Sequence, residues 1–209
     1  MKVWPVALLV AGGLLWMAST AKAKGSSTGG RWIPPDDWPK SLEAARKRAQ
    51  ARSYSRAELR ALTRDAALDA WLDPALLWAW LSAHQMGAPD GDPYQDRWGL
   101  RGLWGMSGPR FASEAAHARS LGLVGALGPS HVYQPEANAR AAAASLVRML
   151  TKWGGQDQPL GQMVADWIAG GYGKGAGWYA DAVSAGYRNW ASPTQPPSLE
   201  LGPESPIAK

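Results

Sequence analysis

The stretch Asp73-Pro74-Ala75-Leu76-Leu77-Trp78-Ala79-Trp80-Leu81-Ser82-Ala83-His84-Gln85-Met86-Gly87 decides the fold class. Asp73 is an N-cap residue whose carboxylate can accept a hydrogen bond from the first free amides of a helix. Pro74 suits the first helical position, because its missing N–H would have no intrahelical partner there. The next ten residues are apolar or small almost without a break. A helix apolar on every side belongs inside a larger helical packing. Gly87 marks the end.

Further helices follow outward from this one. Ser41 caps a helix to about Arg52. Ser55 and Glu58 form a capping-box pair that opens a second, to about Leu72. A fourth runs from about Pro109 to Leu121, ahead of Gly122. A fifth starts at Pro135 and ends at Gly154-Gly155, a sixth runs from Pro159 to Gly170-Gly171, and a seventh spans about Gly177 to Trp190. Strand alternation is missing apart from a short hairpin expected near 88–104. The expected class is all-α: a helical domain preceded by an N-terminal hydrophobic helix.

Composition sets the outer bounds. The chain has 209 residues and no cysteine, which excludes disulfides and thiolate metal sites. The net charge of +5 is spread along the chain, so a nucleic-acid partner is not expected. Residues 1–23 combine Lys2, an apolar run from Val3 to Ala18 and the small-x-small triplet Ala21-Lys22-Ala23. They read as a cleaved signal peptide or a retained membrane anchor, with Trp4 and Trp16 suited to the interface. The protein is accordingly expected to be exported or membrane-anchored. Residues 24–40 read as a linker, rich in Gly, Ser and Pro. Residues 41–191 form the domain. Residues 192–209, with five prolines, read as a tail.

Three motifs in the domain come in a telling order: the Asp-Pro helix ending in Gln85-Met86-Gly87, then Gly102-Leu103-Trp104-Gly105, then Pro135-Glu136-Ala137-Asn138 ahead of a small-residue helix. From about residue 70 to 190 this order and spacing resembles the catalytic domain of lytic transglycosylases, the goose-type-lysozyme-like enzymes that cut peptidoglycan. The resemblance implies a lysozyme-like fold and glycan strands as the partner, in a cell envelope or a virion that crosses one. It also implies that the catalytic acid stands at position 85. The family has Glu-Ser-Gly there, and this chain has Gln85.

Glycosidic cleavage needs a proton on the leaving oxygen. A glutamine amide has no proton of useful acidity, although it donates and accepts hydrogen bonds. Three readings stay open: a non-catalytic glycan binder or structural module, a substitute acid among Asp90, Asp92 and Asp96, or an acid elsewhere in the chain. Against the family, Gly105 replaces a groove glutamine and Ile168 a substrate-contacting asparagine, while Trp167 keeps an aromatic. Trp98, Trp104 and Trp167 are the candidates to stack on sugar rings. Trp71, Trp78 and Trp80 read as core. Glu136 reads as structural and Glu114 as a helix-dipole partner. His84, His117 and His131 are too scattered to hold a metal, and His84 reads as structural. Asp90-Gly91-Asp92 with Asp96 resembles the start of a calcium loop, but Arg101 stands where the closing glutamate would be, so it reads as a solvated loop. Neither a metal nor a cofactor is expected.

Overall fold

The computed structural model describes residues 32–85, 99–154 and 156–190. They form seven α-helices: α1 (Leu42–Gln50), α2 (Arg56–Asp69), α3 (Pro74–His84), α4 (Gly108–Ser120), α5 (Pro135–Trp153), α6 (Leu160–Ile168) and α7 (Gly177–Asn189). A 3₁₀ turn, Pro129–Tyr133, leads into α5. The described residues contain no strand longer than an isolated bridge, so the domain is all-α. None of the described helices is long and apolar enough to cross a membrane. The N-terminal hydrophobic segment and the tail lie outside the described residues.

Helix starts follow the local caps. Ser41 Oγ accepts from the Ala44 amide at 3.1 Å, and the Asp73 carboxylate from the Ala75 amide at 2.9 Å. Ser55 and Glu58 complete the capping box in both directions. Each such cap contributes about 1 kcal/mol.

The core is built around α3. Ten of its eleven residues, Ala75 to His84, are buried. Its closest neighbour is α7, and Gly186 explains how the two approach. A Cβ at 186 would stand 2.9 Å from Ser82 Cβ and 3.0 Å from Ala79 Cα. The buried alanines Ala137, Ala139 and Ala141 to Ala144 do the same for α5, whose small face lets α2 and α4 pack closely. Arg140 on α5 meets Asp69 at the end of α2 at 2.8 Å.

Residues 32–40 depart from the expected linker. The Gly125 amide donates to the Trp32 carbonyl at 2.8 Å, and Trp38 stacks on His131 with centroids 6.3 Å apart. Arg48 on α1 holds the Asp37 carboxylate at 2.9 Å. The prolines prevent helix here, but the two tryptophans supply apolar surface that the domain covers.

The described end of the expected hairpin is a tight turn at 101–106. Arg101 and Met106 exchange two backbone hydrogen bonds of 2.9 Å around Gly102-Leu103-Trp104-Gly105. Both glycines adopt positive φ, 76° and 58°, where a side chain is strained.

Candidate functional site

Gln85 is the C-cap of α3. Its amide donates to the Leu81 carbonyl at 3.0 Å, and its side chain is buried at 2% exposure. Its Nε2 has no hydrogen-bond partner among the described residues. No described carboxylate therefore takes a proton-bearing contact from this amide. Asp90, Asp92, Asp96 and Trp98 lie outside the described residues.

The turn at 101–106 closes over the end of α3. The Trp104 amide donates to Asn138 Oδ1 at 2.8 Å, and its indole Nε1 to the Leu77 carbonyl at 3.0 Å. Trp104 is fully buried, at 0% exposure. It seals α3 against α5 and has no free face for a sugar, which corrects its expected place in the groove. Gly105 faces the His84 ring. A Cβ at 105 would stand only 2.1 Å from His84 Cε1. The volume that a longer side chain at 105 would need is occupied by this imidazole. His84 is thus a core residue, as its sequence position suggested.

The glutamates divide as follows. Glu136 stands in the first turn of α5, where a negative charge favours the helix dipole. Glu114 is buried at 4% exposure and lies past the first turn of α4. Its charge is met by Arg148, 3.6 Å away, and not by a helix end. Nearby, Arg110 donates to the Ile168 carbonyl at 2.8 Å and packs over the Trp80 ring. Ser145 receives both Arg110 and the Trp167 indole, at 3.4 and 2.9 Å. These groups form a polar seam between α4, α5 and α6. Burial lowers the Arg110 pKa.

Asp166 is the most heavily bonded carboxylate. It is fully buried and accepts from Gln158, Gln162 and the amides of Gly173 and Gly175 at 2.7 to 2.8 Å. Burial alone would raise its pKa, but the four hydrogen bonds outweigh burial and hold it below the ordinary aspartate value. It stays ionised, so it pins the 169–176 loop and has no proton to give a leaving group.

Trp167 is half-buried and meets Trp153 edge-on, with centroids 5.1 Å apart. Exposed Tyr172 completes the cluster 6.4 Å from Trp153. Sequence reasoning missed Tyr172, although an aromatic set between Gly171 and Gly173 is the signature of a loop tip. A separate shallow depression of 250 Å³ lies between α4 and residues 125–129, lined by Phe111, Ala115, Arg119, Leu127 and Pro129. It contains none of the expected site residues.

Trp71 was expected in the core and is instead 71% exposed. It also carries φ +59°, the single non-glycine residue in the left-handed region among those described. The Trp71 and Leu72 amides close a Schellman turn onto the Leu68 and Ala67 carbonyls, at 3.1 and 2.9 Å. That position favours glycine. Trp71→Gly should therefore stabilise the domain by about 1 kcal/mol, because it relieves the left-handed strain and uncovers little apolar surface. Urea midpoints of the two proteins check this, and a lower midpoint for the glycine variant would mean that Trp71 packs usefully.

No family model, curated protein or solved structure matches this chain.

Proposed function

We propose that this is a peptidoglycan-directed protein with a lytic-transglycosylase-like domain, binding glycan strands with weak or lost cleavage, in a cell envelope or phage virion. One observation carries the reading. The C-terminal end of the buried Asp-Pro helix presents a neutral amide, Gln85, whose Nε2 is unpaired among the described residues. An amide there can bind sugar hydroxyls or an N-acetyl group, and it cannot protonate a leaving oxygen. The ionised state of Asp166 and the Arg148 partner of Glu114 agree with a domain that does not cleave. Tyr172 and the half-buried Trp167 offer aromatic surface for a sugar face.

A second reading is favoured by the burial of Gln85 and Trp104. In it the chain is a structural protein, anchored in a membrane by its N-terminal segment, that reuses a lysozyme-like fold. Sedimentation with purified peptidoglycan separates the two. A glycan binder co-sediments and is released by soluble muropeptides, whereas a structural protein stays in the supernatant.

Turnover gives a further prediction. The wild type should clear cell walls slowly or not at all. Gln85→Glu should add little by itself, because Gly105 and Ile168 carry no polar side chain to hold substrate. General acid catalysis contributes roughly 100- to 10,000-fold, so even a poorly placed acid is measurable. Strong wild-type lysis abolished by Asp90→Asn, Asp92→Asn or Asp96→Asn would replace the non-catalytic reading with a relocated acid. Strong lysis that survives those changes would remove Gln85 from the acid position, and Glu114→Gln would be the next variant.

A further inference from the structure

Large side chains with apolar surface gather in water at one end of the bundle. α2 finishes there with Leu68, and the turn after it carries Trp71; they are 58% and 71% exposed. Tyr187, near the end of α7, is partly exposed and donates its hydroxyl to the Asp73 carboxylate at 2.7 Å, beside the start of α3. Exposed Ile33 reaches the same end through its neighbour Trp32. The Trp32 ring lies 5.5 Å from the Arg140 guanidinium, and Arg140 holds Asp69 at 2.8 Å.

Folding does not account for Trp71. Its φ of +59° suits glycine, so the backbone there is strained, and the exposed indole returns little burial for it. Strain of this kind is kept where a residue serves a contact outside the fold. The charges at this end are already matched. Arg140 pairs with Asp69, Arg64 with Asp65 at 3.1 Å, and Asp73 accepts from the Ala75 amide and the Tyr187 hydroxyl. A surface laid against this end therefore gains apolar and ring contact and no new ion pair. Tryptophan and tyrosine suit the interface of a bilayer, because each has an apolar body and one polar group.

The chain also indicates what lies opposite. Trp32, the first described residue, belongs to this end. Upstream the sequence carries the apolar run Val3 to Ala18, and only residues 19–31 separate it from Trp32. Fully extended, thirteen residues span no more than about 45 Å. A bilayer entered by the apolar run is within reach of this end of the domain. We propose that Ile33, Leu68, Trp71 and Tyr187 form a docking face for the zwitterionic interface of a lipid bilayer, laying the domain on the membrane that its N-terminal segment enters. The proposal rests on the membrane-anchored reading of that segment and is independent of whether the domain binds glycan.

The test uses the full-length chain in phosphatidylcholine vesicles. The chain has no cysteine, so Leu68→Cys carries a single environment-sensitive fluorophore and Lys152→Cys carries it at a control position. Lys152 is exposed and stands about 18 Å further along α5 than Arg140. Spin-labelled lipid should quench the fluorophore at 68 and spare the one at 152. Ile33→Cys should repeat the result at 68 if Leu68→Cys disturbs the face. Adding Trp71→Gly should lower the ratio of docked to free domain on the order of tenfold, the effect of losing one large buried side chain. The same substitution should raise the urea midpoint, whereas damage to the fold would lower both. Quenching at 68 should survive added salt, and quenching that needs anionic lipid and fades with salt would overturn an apolar face. A chain that floats with the vesicles while its 68 fluorophore stays as wet as that at 152 overturns the face and leaves the anchor standing. A chain that does not float overturns both. Shielding at 68 that needs no lipid and grows with protein concentration would give the face to a second copy of the chain instead.

Discussion

Gly105→Ala should destabilise the domain by about 3 kcal/mol, measured as a fall in the urea midpoint at constant slope. Two costs combine. The φ of +58° at this position puts an L side chain in the left-handed region, at about 1 to 2 kcal/mol. The new methyl would also stand 2.1 to 2.4 Å from three atoms of the His84 ring. That ring is itself buried, so it cannot swing to solvent, and overpacking of this kind costs about 1 to 3 kcal/mol. The two costs are separable. In the His84→Ala background the steric part disappears and the strain remains. Gly105→Ala should then cost only about 1 to 2 kcal/mol, a coupling between neighbours that a double-mutant cycle reads directly. Equal costs in both backgrounds would mean that the ring does not limit this position. Gly105→Gln, which restores the polar side chain of the resemblance, should be worse than Gly105→Ala unless His84 is reduced in the same protein. Under the proposed function, a polar side chain at 105 therefore has to be combined with a smaller residue at 84, besides the changes at 85 and 168.

The second large effect is expected at Asp166. Asp166→Ala removes the acceptor for four donors and leaves the Gly173 and Gly175 amides without their partner. Hydrogen bonds to a charged group contribute about 1.5 to 3 kcal/mol each, but water recovers part of the loss in a loop. A net loss of about 3 kcal/mol is expected on that scale. It should appear first as faster hydrogen exchange in residues 169–176 and then as a lower midpoint. Asp166→Asn should be intermediate, because the amide keeps one acceptor oxygen and turns a donor toward the others.

The pH dependence follows from the direction of the shift. The folded Asp166 pKa lies below its unfolded value, so the unfolded chain binds the proton more readily. Its contribution to stability is complete above the unfolded aspartate pKa, about 4. It is lost as the pH falls below that value toward the folded pKa. The wild type should lose stability over this acid range, and Asp166→Asn should lose less. A parallel acid dependence in both proteins would show that other carboxylates govern it.

The starts of the helices were legible in the residues because their causes are local. Ser55 and Glu58 satisfy each other's backbone donors within three positions, and Asp73-Pro74 needs nothing beyond Ala75. The uninterrupted apolar face of α3 likewise announced a buried helix before any neighbour was known. The candidate site was legible as a position and not as an environment. Gln85 could be placed at the end of α3, but its burial, and the packing of its neighbour His84 against Gly105 twenty-one positions on, depend on how distant segments meet. The tryptophans show the same limit. Trp71 and Trp104 are chemically identical, and sequence reasoning assigned the first to the core and the second to the groove. Instead Trp104 is buried and Trp71 is exposed, because the Schellman turn throws Trp71 outward while the 101–106 turn aims Trp104 at the Leu77 carbonyl.

By itself the sequence determined the all-α class, the helix starts, the apolar axis of the domain and the absence of an acid at position 85. Only the tertiary structure decided that residues 32–40 belong to the domain, that His84 fills the space beside Gly105, and that Arg60 faces Trp190 across 130 positions. The division has one physical reason. Caps and periodicity act within a few residues and are written in order along the chain. Burial, ring stacking and charge pairing depend on which surfaces meet after the helices pack.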